Sequence, residues 1–166
     1  MNHRGRLAFE GWCLVLVSFV AACGDAQPAL SVESDPVIGT WALNIAKSTF
    51  DAPTLLKSQT VTFDSTADGI RVSSETIALN GNVNRSSYTA RYDGKRYPIS
   101  GSPNADSVSF ARLDARTVER FDTKGNTFVG SVTRVLSQDG KTLTVMNKPV
   151  GPQGRMVGSM LVYDRR

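Results

Sequence analysis

From residue 37 onward apolar and polar residues alternate in short runs. Around SQTVTFD, Val61 and Phe63 alternate with Thr60, Thr62 and Asp64, and around SSYTARY, Tyr88, Ala90 and Tyr92 alternate with Ser87, Thr89 and Arg91. A period of two places successive side chains on opposite faces of an extended chain, so each run predicts a strand with one buried face. Comparable runs lie near 70–79, 107–113, 117–122, 127–136, 142–147 and 156–163, and no segment keeps helical period for three turns. Between the runs stand Asp68-Gly69, Asn80-Gly81, Asp93-Gly94, Lys124-Gly125 and Asp139-Gly140, dipeptides that accept the positive φ of tight hairpins. Turns so placed leave no room for crossover helices, and successive strands should pair antiparallel as a meander. Closure hides both sheet edges, so the expected fold is all-β, a single antiparallel up-and-down β-barrel of about 8–10 strands. A two-sheet sandwich is the alternative, and it needs longer connections. The apolar alternation changes phase between Val72 and Ile77, which predicts a bulge near 73–76.

The pattern is different before residue 37. Residues 1–22 combine Arg4 and Arg6, an apolar run from Trp12 to Ala22, and small residues Ala21 and Ala22 ahead of Cys23, which predicts a secretory signal. The run is shorter than the ~20 residues of a membrane-spanning helix, and Glu10 beside it departs from the usual signal pattern. The run VAAC resembles the bacterial lipobox, whose Cys takes a lipid through its thiolate and becomes the first residue of the mature chain. The alternative is an ordinary cleavage near Ala22 that leaves Cys23 a free thiol. Cys13 lies in the segment to be removed, so Cys23 would keep no disulfide partner. Gly24 in place of Asp after the Cys is the pattern of release toward the outer membrane. The expected location is therefore the cell envelope, lipid-anchored at the outer membrane and facing the periplasm. Residues 23–36, polar and small with Pro28 and Pro36, read as a flexible tether, and 37–166 as the barrel.

Composition narrows the chemistry. The formal net charge of +4 is mild and falls by one when Arg4, Arg6 and Glu10 leave with the signal. Basic residues are scattered, so a nucleic-acid partner is not expected. The single His is His3, inside the signal. A mature chain without His, and with its Cys acylated, lacks the parts for Ser-His-Asp or Cys-His catalysis and for the usual zinc and haem sites. No catalytic residue, metal or cofactor is expected. Nothing in the sequence fixes an oligomeric state.

The stretch GTWALN, with Gly39 and Trp41 on the first predicted strand, resembles the Gly-x-Trp start of lipocalins and fatty-acid-binding proteins, the calycin barrels. The resemblance implies that Trp41 plugs one end of the barrel and that Gly39 lets another backbone approach closely. The stretches GTWALNIAKSTF, YTARYDGKRYPISGSPNADSVS and TRVLSQDGKTLTV are similar to a group of uncharacterised, often lipidated, lipocalin-like bacterial envelope proteins. This likeness implies the fold and leaves the ligand open. Two departures from the fatty-acid-binding pattern point away from a lidded, carboxylate-clamping pocket: AKSTFDAPTLLKS is too short for a helix pair, and the chain ends LVYDRR in place of Arg-x-Tyr on the last strand.

Strand parity nominates interior residues. Arg112 shares a face with Val108 and Phe110, Arg134 with Phe128, Val132 and Leu136, and Arg120 with Val118. If these faces point inward, the guanidiniums need an anionic partner from the protein or from a ligand carboxylate or phosphate. The alternative is that Ala111, Leu113, Val129 and Val135 mark the inner face, or that the Arg residues sit at strand ends. Tyr88 and Tyr92 read as strand packing. Among the acids, Asp68, Asp93, Asp106, Asp114 and Asp139 read as turn formers, and Glu75 and Glu119 are the strand carboxylates available for His-independent glycoside chemistry. Three functions follow as expectations. The first is an envelope barrel, held to the membrane by its lipid anchor, that binds or carries a small hydrophobic or anionic amphipathic ligand. The second is a scaffold or interaction protein with a filled barrel, and the third a carboxylate-dependent enzyme.

Overall fold

Among the described residues ten strands form, nine of them where the period-two pattern runs: β1 (Gly39–Leu43), β2 (Leu56–Thr66), β3 (Gly69–Ala78), β4 (Val83–Ala90), β5 (Tyr97–Ser100), β6 (Ser107–Arg112), β7 (Thr117–Lys124), β8 (Thr127–Leu136), β9 (Thr142–Pro149) and β10 (Ser159–Arg165). The structure, a computed structural model, describes residues 35–50, 56–151 and 158–166. Cys23, the signal and nearly all of the tether lie outside the described residues. Every neighbouring pair is antiparallel, and β1 closes the barrel on β10 through Trp41↔Arg165 and Leu43↔Tyr163. Closure leaves no free edge, which excludes the sandwich. Among the described residues the only helix is a 3-10 turn, Ile45–Lys47, capped by the Asn44 side chain.

β5 is the strand that periodicity does not reveal. It has four residues, contains Pro98, and holds two residue pairs on each side, Ser87↔Ser100 and Tyr88↔Ile99 with β4, and Tyr97↔Val108 and Pro98↔Ser107 with β6. Too short to alternate visibly, it is fixed by its neighbours.

The register decides which face is inside. Val108, Phe110 and Arg112 of β6 stand opposite Asp122, Arg120 and Val118 of β7, and the last two stand opposite Val132 and Arg134 of β8. Directly paired residues share a face, and Val108, Phe110, Val118, Val132 and Leu136 are all buried. On the opposite parity Leu113 is 59% exposed. Phe128 is the exception to the expected grouping. Asp122 pairs with Gly130 but Thr123 pairs with Phe128, so Val129 is an extra residue. A one-residue bulge reverses the face of everything beyond it. Phe128 is accordingly 44% exposed, its ring 6.5 Å from that of Phe121 on the outer surface.

The expected bulge at 73–76 is absent, because β3 pairs without interruption from Gly69 to Ile77 with β2 and from Ile70 to Ile77 with β4. The irregularity on this side lies at Lys57, between Leu56 and Ser58. What changes near 73–76 is the chemistry of the lining: after Val72 the inward residues are Ser74 and Thr76, so the apolar face ends while the strand continues.

One end of the barrel is sealed. Trp41 is fully buried and its Nε1 donates to the Val37 carbonyl at 2.9 Å. The Arg165 guanidinium lies 4.3 Å from the indole and donates to the carbonyls of Pro36, Ile38 and Gly140. Trp41 is thus buried at this end with a cation stacked on it. What approaches Gly39 is not a backbone, as expected, but this side chain: a Cβ at Gly39 would lie 2.8 Å from Arg165 Nη1. The folded body also begins earlier than the expected boundary at Val37, since Asp35, assigned to the tether, is buried in this floor.

Candidate functional site

Above the floor the barrel holds a partly open cavity of about 290 Å³. One part of its wall is apolar, formed by Val61, Phe63, Val72, Val132, Leu143, Val145 and Leu161. Gln59, Ser74, Thr76, Ser86 and Asn147 form a polar part, and Leu56, Tyr88, Tyr163, Arg120 and Arg134 complete the lining.

The three arginines expected inside all face inward, and their circumstances differ. Arg112 is ion-paired with the Asp35 carboxylate and lies 4.1 Å over the Tyr92 ring. That carboxylate also accepts from Tyr92 Oη at 2.7 Å and from the Val37 amide at 3.0 Å. The space left in this part of the floor is about 10 Å³, so Arg112 belongs to the plug and does not line the ligand-sized cavity. Arg120 does line it, and is held by Asp122 two residues further along the same face. Its Nη2 donates to Oδ2 at 2.8 Å, and Nε lies 2.7 Å from Oδ1 but out of line for a hydrogen bond.

Arg134 is different. It is 7% exposed, its cross-strand neighbours are Val118 and Val145, and its guanidinium lies 4.9 Å from the Phe63 ring and 5.3 Å from the Phe110 ring. Two aromatic faces stabilise a cation by about 0.5–2 kcal/mol each. They do not accept its N–H groups along conventional directions, and Nε and Nη1 have no hydrogen-bond partner among the described residues. Removing a charge from water costs several kcal/mol unless it is paired. With Arg112 matched by Asp35 and Arg120 by Asp122, Arg134 carries the unmatched positive charge of the described interior.

Two of the buried phenols, Tyr92 and Tyr163, are held in their neutral form. Burial raises the pKa of Tyr163 well above the ordinary 10.0, with Arg120 opposing. It does the same for Tyr92, where Arg134 opposes and Asp35 reinforces. Tyr163 Oη donates to Gln59 Oε1 at 2.6 Å, Gln59 Nε2 donates to Thr76 Oγ1 at 2.8 Å, and the Ser74 and Ser86 hydroxyls lie 2.9 Å apart.

Neither strand glutamate reaches this space. Glu75 is on the outer face in an ion pair with Arg85 at 2.6 Å, and Glu119 stands opposite Ala111 and Thr133 on the outward register. Asp93, Asp106, Asp114 and Asp139 accept backbone N–H groups in turns, and Asp68 sits in the β2–β3 turn. Among the described residues no group of three or more His, Cys, Asp or Glu side chains could hold a metal ion. Parity with neighbours on their own strands could have nominated Asp122 from Arg120 and Tyr163 from Leu161. No sequence signal marks Asp35, which lies outside every strand.

No protein-family model matches the chain, and no curated protein does. Among solved structures the chain is similar to a Schistosoma mansoni fatty acid binding protein in complex with arachidonic acid. That match has a TM-score of 0.60 and 16% identity, and covers 82% of this chain and 99% of that one. A siderocalin, Ex-FABP, matches at a TM-score of 0.40 and 14% identity over 79% of this chain and 74% of that one, a similarity too distant to add to the argument. Identity this low carries the fold alone, and the first match covers nearly the whole of that barrel's chain. The chain folds as a closed ten-stranded antiparallel barrel of the fatty-acid-binding-protein-like kind.

Proposed function

We propose that the protein is a non-enzymatic binder or carrier that holds a small amphipathic anion inside its barrel. The observation that carries this reading is Arg134, buried with two guanidinium nitrogens that have no hydrogen-bond partner among the described residues, beside a cavity of about 290 Å³ with an apolar wall. A ligand carboxylate or phosphate at Arg134 would satisfy those donors, and its apolar part would lie against Val61, Leu143, Val145 and Leu161. That a structurally similar barrel is found in complex with arachidonic acid, a carboxylic acid with a long apolar chain, is consistent with this. The interior carboxylates Asp35 and Asp122 are both committed to arginines, which favours binding over carboxylate catalysis. Arg120 is the auxiliary cation, and Arg112 supports the floor from below.

Displacement of a fluorescent fatty acid tests the site. A charge-assisted hydrogen bond contributes about 1.5–3 kcal/mol, so Arg134→Met should weaken binding roughly ten- to a hundredfold. Arg85→Met, on the outer face, should leave it unchanged. Equal affinities for wild type and Arg134→Met would remove Arg134 from the site. The cavity is at the lower edge of the ~300–1,000 Å³ typical of ligand pockets, which favours a second reading, a scaffold barrel filled by its own side chains. Failure of every probe in a broad lipid panel to bind wild type would select it.

The anchor is part of the same proposal. Lipidation at Cys23 would hold the barrel at the bacterial outer membrane, facing the periplasm, and more than one acyl chain makes such anchoring stable. Wild type should then partition into detergent, whereas Cys23→Ser should escape lipoprotein processing. Normal maturation of the variant together with an aqueous wild type would exclude the anchor.

A further inference from the structure

The cavity continues past its apolar wall. Arg120, Val132 and Asn147 line both the inner cavity and a second pocket of about 330 Å³ toward the mouth, whose other walls include Ser102, Asn104 and Asp122. These three residues stand in one cross-strand row, Arg120↔Val132↔Asn147. The neighbouring inward row toward the floor is Val118↔Arg134↔Val145. Two residues of strand separate the rows, about 7 Å.

Asn147 is notable in the mouthward row. Its side chain is half-buried, faces the space shared by both pockets, and makes no hydrogen bond among the described residues. The nearby polar groups are more fully occupied: Gln59 lies between Tyr163 and Thr76, Ser74 is matched with Ser86, and Arg120 with Asp122. An alkyl chain rising from Arg134 would press against the Asn147 amide, strip it of water and leave it unpaired. A ligand with an oxygen at that height would not. We propose that the ligand is a bipolar acid, its anion at Arg134 and a neutral hydroxyl or carbonyl at Asn147, so that hydroxy or oxo acids are bound in preference to plain alkanoates. The proposal rests on Arg134 being the anion site and adds a second recognition point to it.

Calorimetric titration of the intact protein with octanoic acid and with 8-hydroxyoctanoic acid tests it. Wild type should bind the hydroxy acid about ten times more tightly, the scale of a buried polar group left unpaired. Asn147→Leu should abolish that preference by improving or preserving octanoate binding while weakening the hydroxy acid. Asn147→Ser, which keeps a small hydrogen-bonding group, should retain part of it and shows that the strand tolerates substitution. Octanoate binding as tightly as the hydroxy acid in wild type, or a preference that survives Asn147→Leu, overturns the inference. If octanoate binds and depends on Arg134 but the hydroxyl adds nothing, this inference alone falls. If neither acid binds wild type, the anion site falls with it.

Discussion

Asp35→Ala removes one residue from the chain segment ahead of the first strand, yet it should be among the most damaging single changes to the barrel. The Asp35 side chain is 3% exposed and its partner Arg112 18%. The same carboxylate accepts from Tyr92 Oη and the Val37 amide, so one truncation leaves a cation, a phenol and an amide without their acceptor. Breaking a buried pair from one side costs about 3–5 kcal/mol. Arg112 keeps its position over Tyr92 at 4.1 Å and a long contact to the Ala115 carbonyl at 3.4 Å, which places the expected loss near the lower figure, about 3 kcal/mol. That is a large share of the ~5–15 kcal/mol that holds a domain folded. Adding Arg112→Met removes the orphaned charge, and the double variant should recover part of the loss instead of adding to it. Deleting residues 1–36, the boundary that the apolar pattern alone suggests, should carry the Asp35 loss as well. The assay is urea unfolding followed by far-UV circular dichroism, where ~3 kcal/mol moves the midpoint by roughly 1–3 M at an ordinary slope. A loss under about 0.5 kcal/mol, the scale of a surface substitution, or a double variant that loses the sum of the two singles, would refute the buried-pair argument.

Gly101 has φ +73°, and a Cβ there would lie 1.9 Å from the Arg85 carbonyl oxygen, whereas Gly81 at φ +85° has no atom within 4 Å. Thermal unfolding should therefore show Gly101→Ala losing clearly more than Gly81→Ala, whose cost of about 1 kcal/mol is the backbone conformation alone; equal losses would remove the clash. Stability should also fall at both ends of the pH range. Hydrogen bonds from the Gly125 amide, the Arg116 amide, the Ser137 hydroxyl and the Asn44 amide hold Asp106, Asp114, Asp139 and Asp164 below the ordinary 3.8. Folded-state values below the unfolded one give stability that is present above 3.8 and lost as the pH falls through it. Burial raises Tyr92 and Tyr163 above 10.0, so their contribution is complete below pH 10 and lost above it as the unfolded phenols ionise. Unfolding midpoints in urea that match at about pH 3 and pH 6 would contradict the acid limb, and matching midpoints at about pH 8 and pH 11 the alkaline one.

The amino-acid pattern by itself determined the barrel and most of its inner face. Alternation along one strand depends only on backbone geometry, so Val108, Phe110 and Arg112 could be placed on one face, and Val132, Arg134 and Leu136 on another, without knowledge of any neighbour. Hairpin dipeptides added the order of the strands. Phe128 escaped that logic because the bulge at Val129 depends on how β8 registers against β7, and the supposed bulge at 73–76 was a change in lining chemistry that periodicity cannot distinguish from a change in phase. β5 was too short to carry a period at all. What only the tertiary structure decided was the state of each arginine. Arg120 finds Asp122 two residues away, a pairing that strand parity makes visible. Arg112 is neutralised by a residue 77 positions earlier, in a stretch whose composition is that of a linker, and Arg134 remains unmatched among the described residues because Val118 and Val145 flank it in the register. Facing direction is a property of one strand, whereas charge compensation is a property of whatever closure brings within a few ångströms, and Coulomb attraction in a buried interior responds to that distance and not to position along the chain.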